Sequence, residues 1–225
     1  MTRIDLAPVV LTFELAAAAT LVLMLFGTPL AWWLAHTRSR LASFVEAMTA
    51  LPLVLPPTVL GFYLLVLLGP HGAVGRVWEG LGGERLVFSF GGLLIGSVIY
   101  SLPFVVQPLA SGFRTLDRRL LEAAAVLGAS PLDRFFSVAV PLAKPAFLTA
   151  ATLGFAHTVG EFGVVLMIGG NIPHRTQVLS IAIYDRVEML DYTSAHTLSA
   201  GMLLFSFAVL FAVYATNRKL ELIGS

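Results

Sequence analysis

His157 and Glu161 stand four residues apart, the spacing that puts two side chains on one face of a helix. An imidazole and a carboxylate in that register could hold a metal, pass a proton or line a polar gap. Two ligands alone make an incomplete metal site, so a gate or helix-packing role is the leading expectation, ahead of a purely structural pair and of metal. A second constellation is longer. It runs Glu122-Ala123-Ala124, three residues, Gly128, nine residues, Val138, Ala139, Val140 and Pro141. Small side chains there let another surface come close, and a glycine can supply the positive φ that stops a helix. A third is Pro56-Pro57-Thr58. A half-helix starting at Pro57 would point its first N–H groups at an anion, although a kink needed only for packing explains the prolines as well. Arg175 and Arg186 could meet an oxyanion or a docking protein, or be ordinary solvated arginines.

Nothing here makes an ATPase. A P-loop needs a lysine directly after glycine so that its ammonium reaches the phosphates. The only two lysines, Lys144 and Lys219, follow Ala143 and Arg218. No convergent nucleophile, base or metal-ligand set is evident either, so no catalytic residue and no cofactor is expected in this chain.

The elements that must position these residues belong to a membrane protein. Hydrophobic residues make up 57% of the 225 and charged residues 12%, where soluble domains carry about 25% charge. The mean hydropathy is +0.87. A net charge of +1 argues against a nucleic-acid binder, and with no cysteine there is no disulfide framework. The first apolar run, residues 6–35, is far longer than the core of a removable signal. A spanning helix needs about 20 apolar residues. Five stretches meet that length, at about 8–35, 44–69, 88–111, 144–170 and 196–216. The fourth exceeds a simple span, and a break with re-entry of its 160–170 half would raise the count to six. Glu14 reads as an interfacial residue near the outer end of the first span. The fold expected is all-α, one transmembrane domain over 1–225.

Basic residues orient it. Arg38, Arg40, Arg114, Arg118, Arg119, Arg134, Lys144, Arg218 and Lys219 fall on one side if five helices alternate. Arg3, Arg76, Arg85, Arg175 and Arg186 fall on the other, accompanied by acidic residues. The richer side is expected to be cytoplasmic, which puts the N-terminus outside and the 112–143 loop and C-terminus inside.

That loop reads as two short helices. Asp117 caps the first, over 118–127, Gly128 ends it, and Ser130 with Pro131 restarts a helix carrying Asp133, Arg134, Phe135 and Phe136. An amphipathic helix lying on the membrane surface is the plainer alternative. In the second span, Pro52, Pro56 and Pro57 must kink or break the helix. Beyond the fourth span, Gly169-Gly170-Asn171-Ile172-Pro173 is a turn, and 176–184 a short helix packed over the mouth.

The Glu122–Pro141 spacing resembles the EAA loop of ABC-importer permeases, with Val138 and Val140 where Ile and Leu are usual. From about residue 8 to 216 the chain resembles molybdate-importer permeases. The resemblance is carried by Leu51-Pro52-Leu53-Val54-Leu55-Pro56-Pro57, Ser101-Leu102-Pro103-Phe104-Val105-Val106, Gly160-Glu161-Phe162-Gly163 and Gly170-Asn171-Ile172-Pro173. The last two segments are shared with sulfate permeases, which keeps sulfate or thiosulfate open as cargo. The resemblance implies a type I ABC-importer (MetI-like) permease fold with about five, or six, transmembrane helices and cytoplasmic EAA coupling helices. It implies that Glu122, Ala123, Ala124, Gly128, Ala129, Ser130, Pro131 and Pro141 form the ATPase-coupling loop. Pro56, Pro57, Thr58, Glu161, Gly163 and Asn171 are the candidates for a translocation path or gate. The implied partners are a cytoplasmic ATPase dimer that holds ATP and Mg, an extracytoplasmic oxyanion-binding protein, a second permease copy and the lipid of a bacterial inner membrane. Two rivals remain from the residues themselves. An ion-coupled secondary transporter would have only Glu14, His157 and Glu161 to work with, and a membrane-embedded enzyme would need a constellation that is not evident.

Overall fold

The computed structural model describes residues 5–224, with side chains described as far as Ala212 and at Ala215. Arg3, and the side chains of Arg218 and Lys219 counted among the orienting charges, lie outside the described residues. Twelve helices and one π-helical turn make up the described chain, and it contains no strand. Four helical stretches are long and apolar enough to cross a membrane, Ala7–His36, Pro57–Gly80, Phe90–Arg114 and Tyr192–Ala212. Counting the bent pair of Pro131–Leu142 with Lys144–Gly160 as one broken span brings the number to five, with only Lys144–Gly160 inside the bundle. Helices are what lipid allows, because every backbone N–H and C=O must be satisfied within the segment.

Helix α1 (Ala7–His36) and helix α5 (Phe90–Arg114) pack along each other at the centre. Lipid tails solvate leucine as well as a protein core does, so close approach at small residues decides which face turns inward. On α1 that face carries Ala16, Ala19, Gly27 and Ala31, all buried. A Cβ at Gly27 would touch Val105 and Val106 of α5 at 3.4 Å each. Thr12, Thr20 and Thr28 hand their hydroxyls to the carbonyl four residues back, so none is left unpaired in the apolar helix. Helix α9 (Lys144–Gly160) closes a second side of α5, where Gly154 lies against Val105.

In the second span, where the prolines were expected to kink or break the helix, it breaks. Helix α2 (Leu41–Val54) stops, and helix α3 (Pro57–Leu68) starts afresh. A residue before proline is pushed into extended backbone. Leu55 and Pro56 both precede one, and both sit at ψ 135. Two such residues in succession break the helix where one would kink it. The stretch of crossing length is therefore Pro57–Gly80, which includes helix α4 (Ala73–Gly80) after a turn.

The fourth span also breaks. α9 ends at Gly160, Glu161 is extended (φ −68, ψ 136), and helix α10 (Gly163–Gly169) packs against α3 and α5. Beyond it, helix α11 (Leu179–Glu188) is tied to α1 by the Leu179 N–H donating to Thr12 Oγ1 at 2.7 Å. It begins three residues later than the 176–184 helix expected. Helix α12 (Tyr192–Gly224) leans on α11 and α9 with almost none of its spanning window buried.

Candidate functional site

Between α5 and α9 the chain leaves the bundle and builds an elbow. Asp117 accepts from the Arg119 N–H at 2.9 Å and starts helix α6 (Arg118–Val126). Gly128 at φ +88 reverses the chain, a conformation that costs other residues about 1–2 kcal/mol. Ser130 and Asp133 form a reciprocal capping box at the start of helix α7 (Pro131–Arg134). The Ser130 hydroxyl donates to Asp133 Oδ2 at 2.5 Å and accepts from the Asp133 N–H at 3.2 Å. The hydrogen bond from the Ser130 hydroxyl, and then that from its backbone N–H, hold the Asp133 carboxyl below its ordinary range. A π-helical turn (Phe135–Ala139) and the short helix α8 (Val140–Leu142) follow, and the segment meets α9 at 75°.

No residue of α6 is buried. Glu122, Ala123, Gly128, Ser130, Pro131 and Pro141 are exposed, and Ala124 and Ala129 are half-buried. Val126 and Leu127 are 87% and 88% exposed. Two nearly bare aliphatic side chains beside a strip of alanines make a surface shaped to be covered. The elbow sits at the end of the bundle that carries Arg38, Arg40 and Arg114, because the Phe135 ring of its π-helical turn packs on Trp32 and Phe113 near the ends of α1 and α5.

Within the bundle, the two broken spans meet. A cavity of about 520 Å³ lies between the start of α3, the α9–α10 break and α5. Pro57, Thr58, Glu161 and Gly163, four of the six path candidates, line it. Pro56 adjoins it as the residue before α3. Asn171 does not. It sits in a turn beyond α10, where its amide donates to Asp185 Oδ1 and its carbonyl oxygen accepts from Gln177 Nε2, both at 2.7 Å. Arg186 lies 3.5 Å from Asp191 on the same side.

His157 and Glu161 line this cavity together but do not share a helix face. Helix α9 ends between them, so the i, i+4 register expected for the pair is lost. His157 is instead held by α5. Thr158 Oγ1 donates to the Gly154 carbonyl at 3.0 Å, which leaves it to accept from Ser101 at 3.0 Å. Ser101 Oγ also lies 2.9 Å from His157 Nδ1, which ties the imidazole to α5. The imidazole stacks on Phe104 at 3.8 Å and faces Tyr100 at 4.7 Å. Glu161 is 4% exposed, yet neither of its carboxyl oxygens has a hydrogen-bond partner. Nor does the buried hydroxyl of Ser97 on α5. The two groups face one another without a well-formed hydrogen bond, so the break holds buried polar side chains that the packing leaves poorly paired. Among the described residues no group of three His, Cys, Asp or Glu side chains could hold a metal.

Ser97, Tyr100 and Ser101 were missed as site residues. Their spacing of three and four on an otherwise apolar helix is the signal that could have found them.

Comparisons agree with this geometry. The chain is 60% identical over 214 residues to the molybdenum transport system permease protein ModB of Azotobacter vinelandii, covering 95% of each chain. It is 34% identical over 213 residues to the probable sulfate transport system permease protein cysT of Marchantia polymorpha, covering 92% of this chain and 74% of that one. The fold matches the inward-facing MetNI methionine ABC transporter with a TM-score of 0.72 at 18% identity, over 94% of each chain. Residues 27–222 match the family described as binding-protein-dependent transport system inner membrane component. The chain belongs to that family, as a multi-pass permease of an inner-membrane ABC transporter.

Proposed function

We propose that this chain carries molybdate, or its near-isostere tungstate, into the cytoplasm as the permease subunit of an ATP-driven importer. The observation that carries the cargo is the likeness, over nearly the whole chain, to a molybdenum permease. Two copies would pair. An ATPase dimer would grip the α6–α7 elbow, with Glu122, Ala123, Ala124, Gly128, Ala129, Ser130, Pro131 and Pro141 as its coupling surface. An extracytoplasmic protein would deliver the oxyanion at the opposite end. The basic residues gathered at the elbow end support a cytoplasmic elbow and C-terminus and an outer N-terminus.

The path would run by the cavity at the two helix breaks. Thr58 and Tyr100 offer hydroxyl donors there. Irregular backbone at membrane depth is tolerated where it lines such a space. Glu161 lines the cavity as well, and a permease must release what it passes. Alternating access then follows from two packings of one bundle, each favoured by a different ligand, ATP or loaded binding protein. ATP and Mg would be held by the partner.

The test is uptake into proteoliposomes holding the permease, its ATPase and its binding protein. Molybdate uptake that needs internal ATP, with sulfate uptake weak, supports the reading. Sulfate uptake of equal strength favours the second reading, a sulfate importer, to which the likeness to sulfate permeases points. Gradient-driven uptake without the ATPase overturns both.

A further inference from the structure

The elbow reaches the bundle through one aromatic side chain. Phe135 opens the π-helical turn directly after α7. Its ring meets Trp32 of α1 edge-on at 5.1 Å between centroids and Phe113 of α5 at 6.1 Å. Trp32 and Phe113 meet edge-on at 5.1 Å, and Phe113 continues to Phe147 of α9 at 5.8 Å. Rings from α1 and α5 therefore close on Phe135, two residues beyond the capping box, and Phe113 passes the contact on to α9. Phe113 is 2% exposed at the heart of this cluster, while Phe136, the neighbour of Phe135, is 64% exposed.

The π-helical turn makes this division possible. An extra residue in the turn re-aims the side chains that follow, and such turns gather at functional sites. Helix α6 buries no residue of its own, and its packing partners are α7 and the π-helical turn. A displaced α6 thus pushes on the turn that holds Phe135. Close-packed rings pass a displacement on because protein interiors compress little.

We propose that Phe135 is the positioning residue that carries movement of the elbow into α1, α5 and α9. ATPase closure would then reach the Glu161 cavity through ring packing and not through the chain connections alone. The proposal rests on the ATP-driven reading above. It adds to that reading a named point where the force enters the bundle.

The chain has no cysteine, so a single Thr58→Cys on the cavity gives a clean reporter. The complex with its ATPase dimer is placed in lipid nanodiscs, and labelling by a membrane-impermeant maleimide is timed with and without ATP. With Phe135 intact, ATP changes the labelling rate. In Phe135→Ala the ATP-dependent change shrinks about tenfold, while the ATPase still co-purifies and hydrolyses ATP. Phe135→Tyr, which keeps the ring, restores the response, and Leu21→Ala on the lipid face of α1 leaves it untouched. If Phe135→Ala fails to assemble, Phe135→Leu, with apolar bulk but no ring, carries the same expectation. A full ATP response in the ring-less variants overturns the proposal. So does an equal loss in Phe135→Tyr, or loss of ATPase binding in both ring-less variants. A parent complex that binds no ATPase, or shows no ATP response, overturns the importer reading and this proposal with it.

Discussion

Gly163 of α10 and Pro57 of α3 approach so closely that a Cβ on the glycine would stand 2.7 Å from Pro57 Cβ. Both residues begin a helix on the far side of a break, and the contact is where the two broken spans lean on each other. One turn further along, a Cβ at Gly61 of α3 would stand 2.8 Å from Met167 Cβ of α10. The two glycines together form a narrow seam beside the cavity.

Gly163→Ala should push the seam apart. Overpacking of this kind costs about 1–3 kcal/mol, so the thermal midpoint of the purified permease should fall and ATP-driven uptake should drop with it. An unchanged midpoint would show that α3 and α10 are free to separate, contrary to the packing described.

Glu161→Gln keeps the shape of the side chain and replaces a buried group that can ionise with one that cannot. The variant should be at least as heat-stable as the parent, while uptake falls about tenfold because one packing is now over-favoured. Uptake at the parent rate would remove Glu161 from the gate.

Glu122→Lys or Gly128→Asp should abolish co-purification of the ATPase while leaving membrane insertion intact. The first reverses a charge on the exposed face of α6. The second puts a side chain on a residue at φ +88 with nothing within 4 Å of its Cβ, so the penalty is local to the turn. Normal assembly and transport in both variants would count against the elbow as the ATPase socket.

The capping box should be sensitive to pH in a definite direction. Asp133 has its carboxyl held below the ordinary range in the folded chain. Its contribution is therefore present above the ordinary carboxylate pKa and is lost as pH falls through the depressed value. Amide hydrogen exchange at Asp133 and Arg134, corrected for intrinsic rates, should lose protection on acidification, and Ser130→Ala should show that loss already at neutral pH. Protection that does not change with pH in the parent chain would refute the role of the carboxylate.

A single cysteine at Ala125 in α6 should react with an impermeant maleimide in inside-out vesicles and not in intact cells. The opposite pattern would place the elbow outside and end the importer mechanism.

Much of this was legible because it depends on near neighbours in the chain. Asp117, Gly128 and the Ser130–Pro131 start of α7 work within a few residues of themselves, and each stands where the sequence pattern placed it. Pro57 as the start of a half-helix is equally local. The prolines left a kink and a break both open, and Leu55 and Pro56, each ahead of a proline, decide for the break. The face shared by His157 and Glu161 failed for a different reason. The helix end between them is stabilised from outside, by Ser180 Oγ donating to the Glu161 carbonyl at 2.5 Å and by α10 packing on α3.

The permease role came from the family resemblance, while composition, the lengths of the apolar runs and the caps between Asp117 and Pro131 were enough to establish a helical membrane protein with a protruding elbow. Those features follow from the solvent the chain meets and from hydrogen bonds made within a turn or two. Which helices touch was decided only by tertiary packing. Ser97 and Ser101 of α5 meet Glu161 and His157 at the end of α9, two segments about sixty residues apart, and Phe135 finds Trp32 and Phe113 about a hundred and about twenty residues away. In lipid no difference in hydrophobicity tells one apolar face from another, so shape complementarity at small residues such as Gly27, Gly154 and Gly163 makes that choice, and shape appears only once the helices are placed.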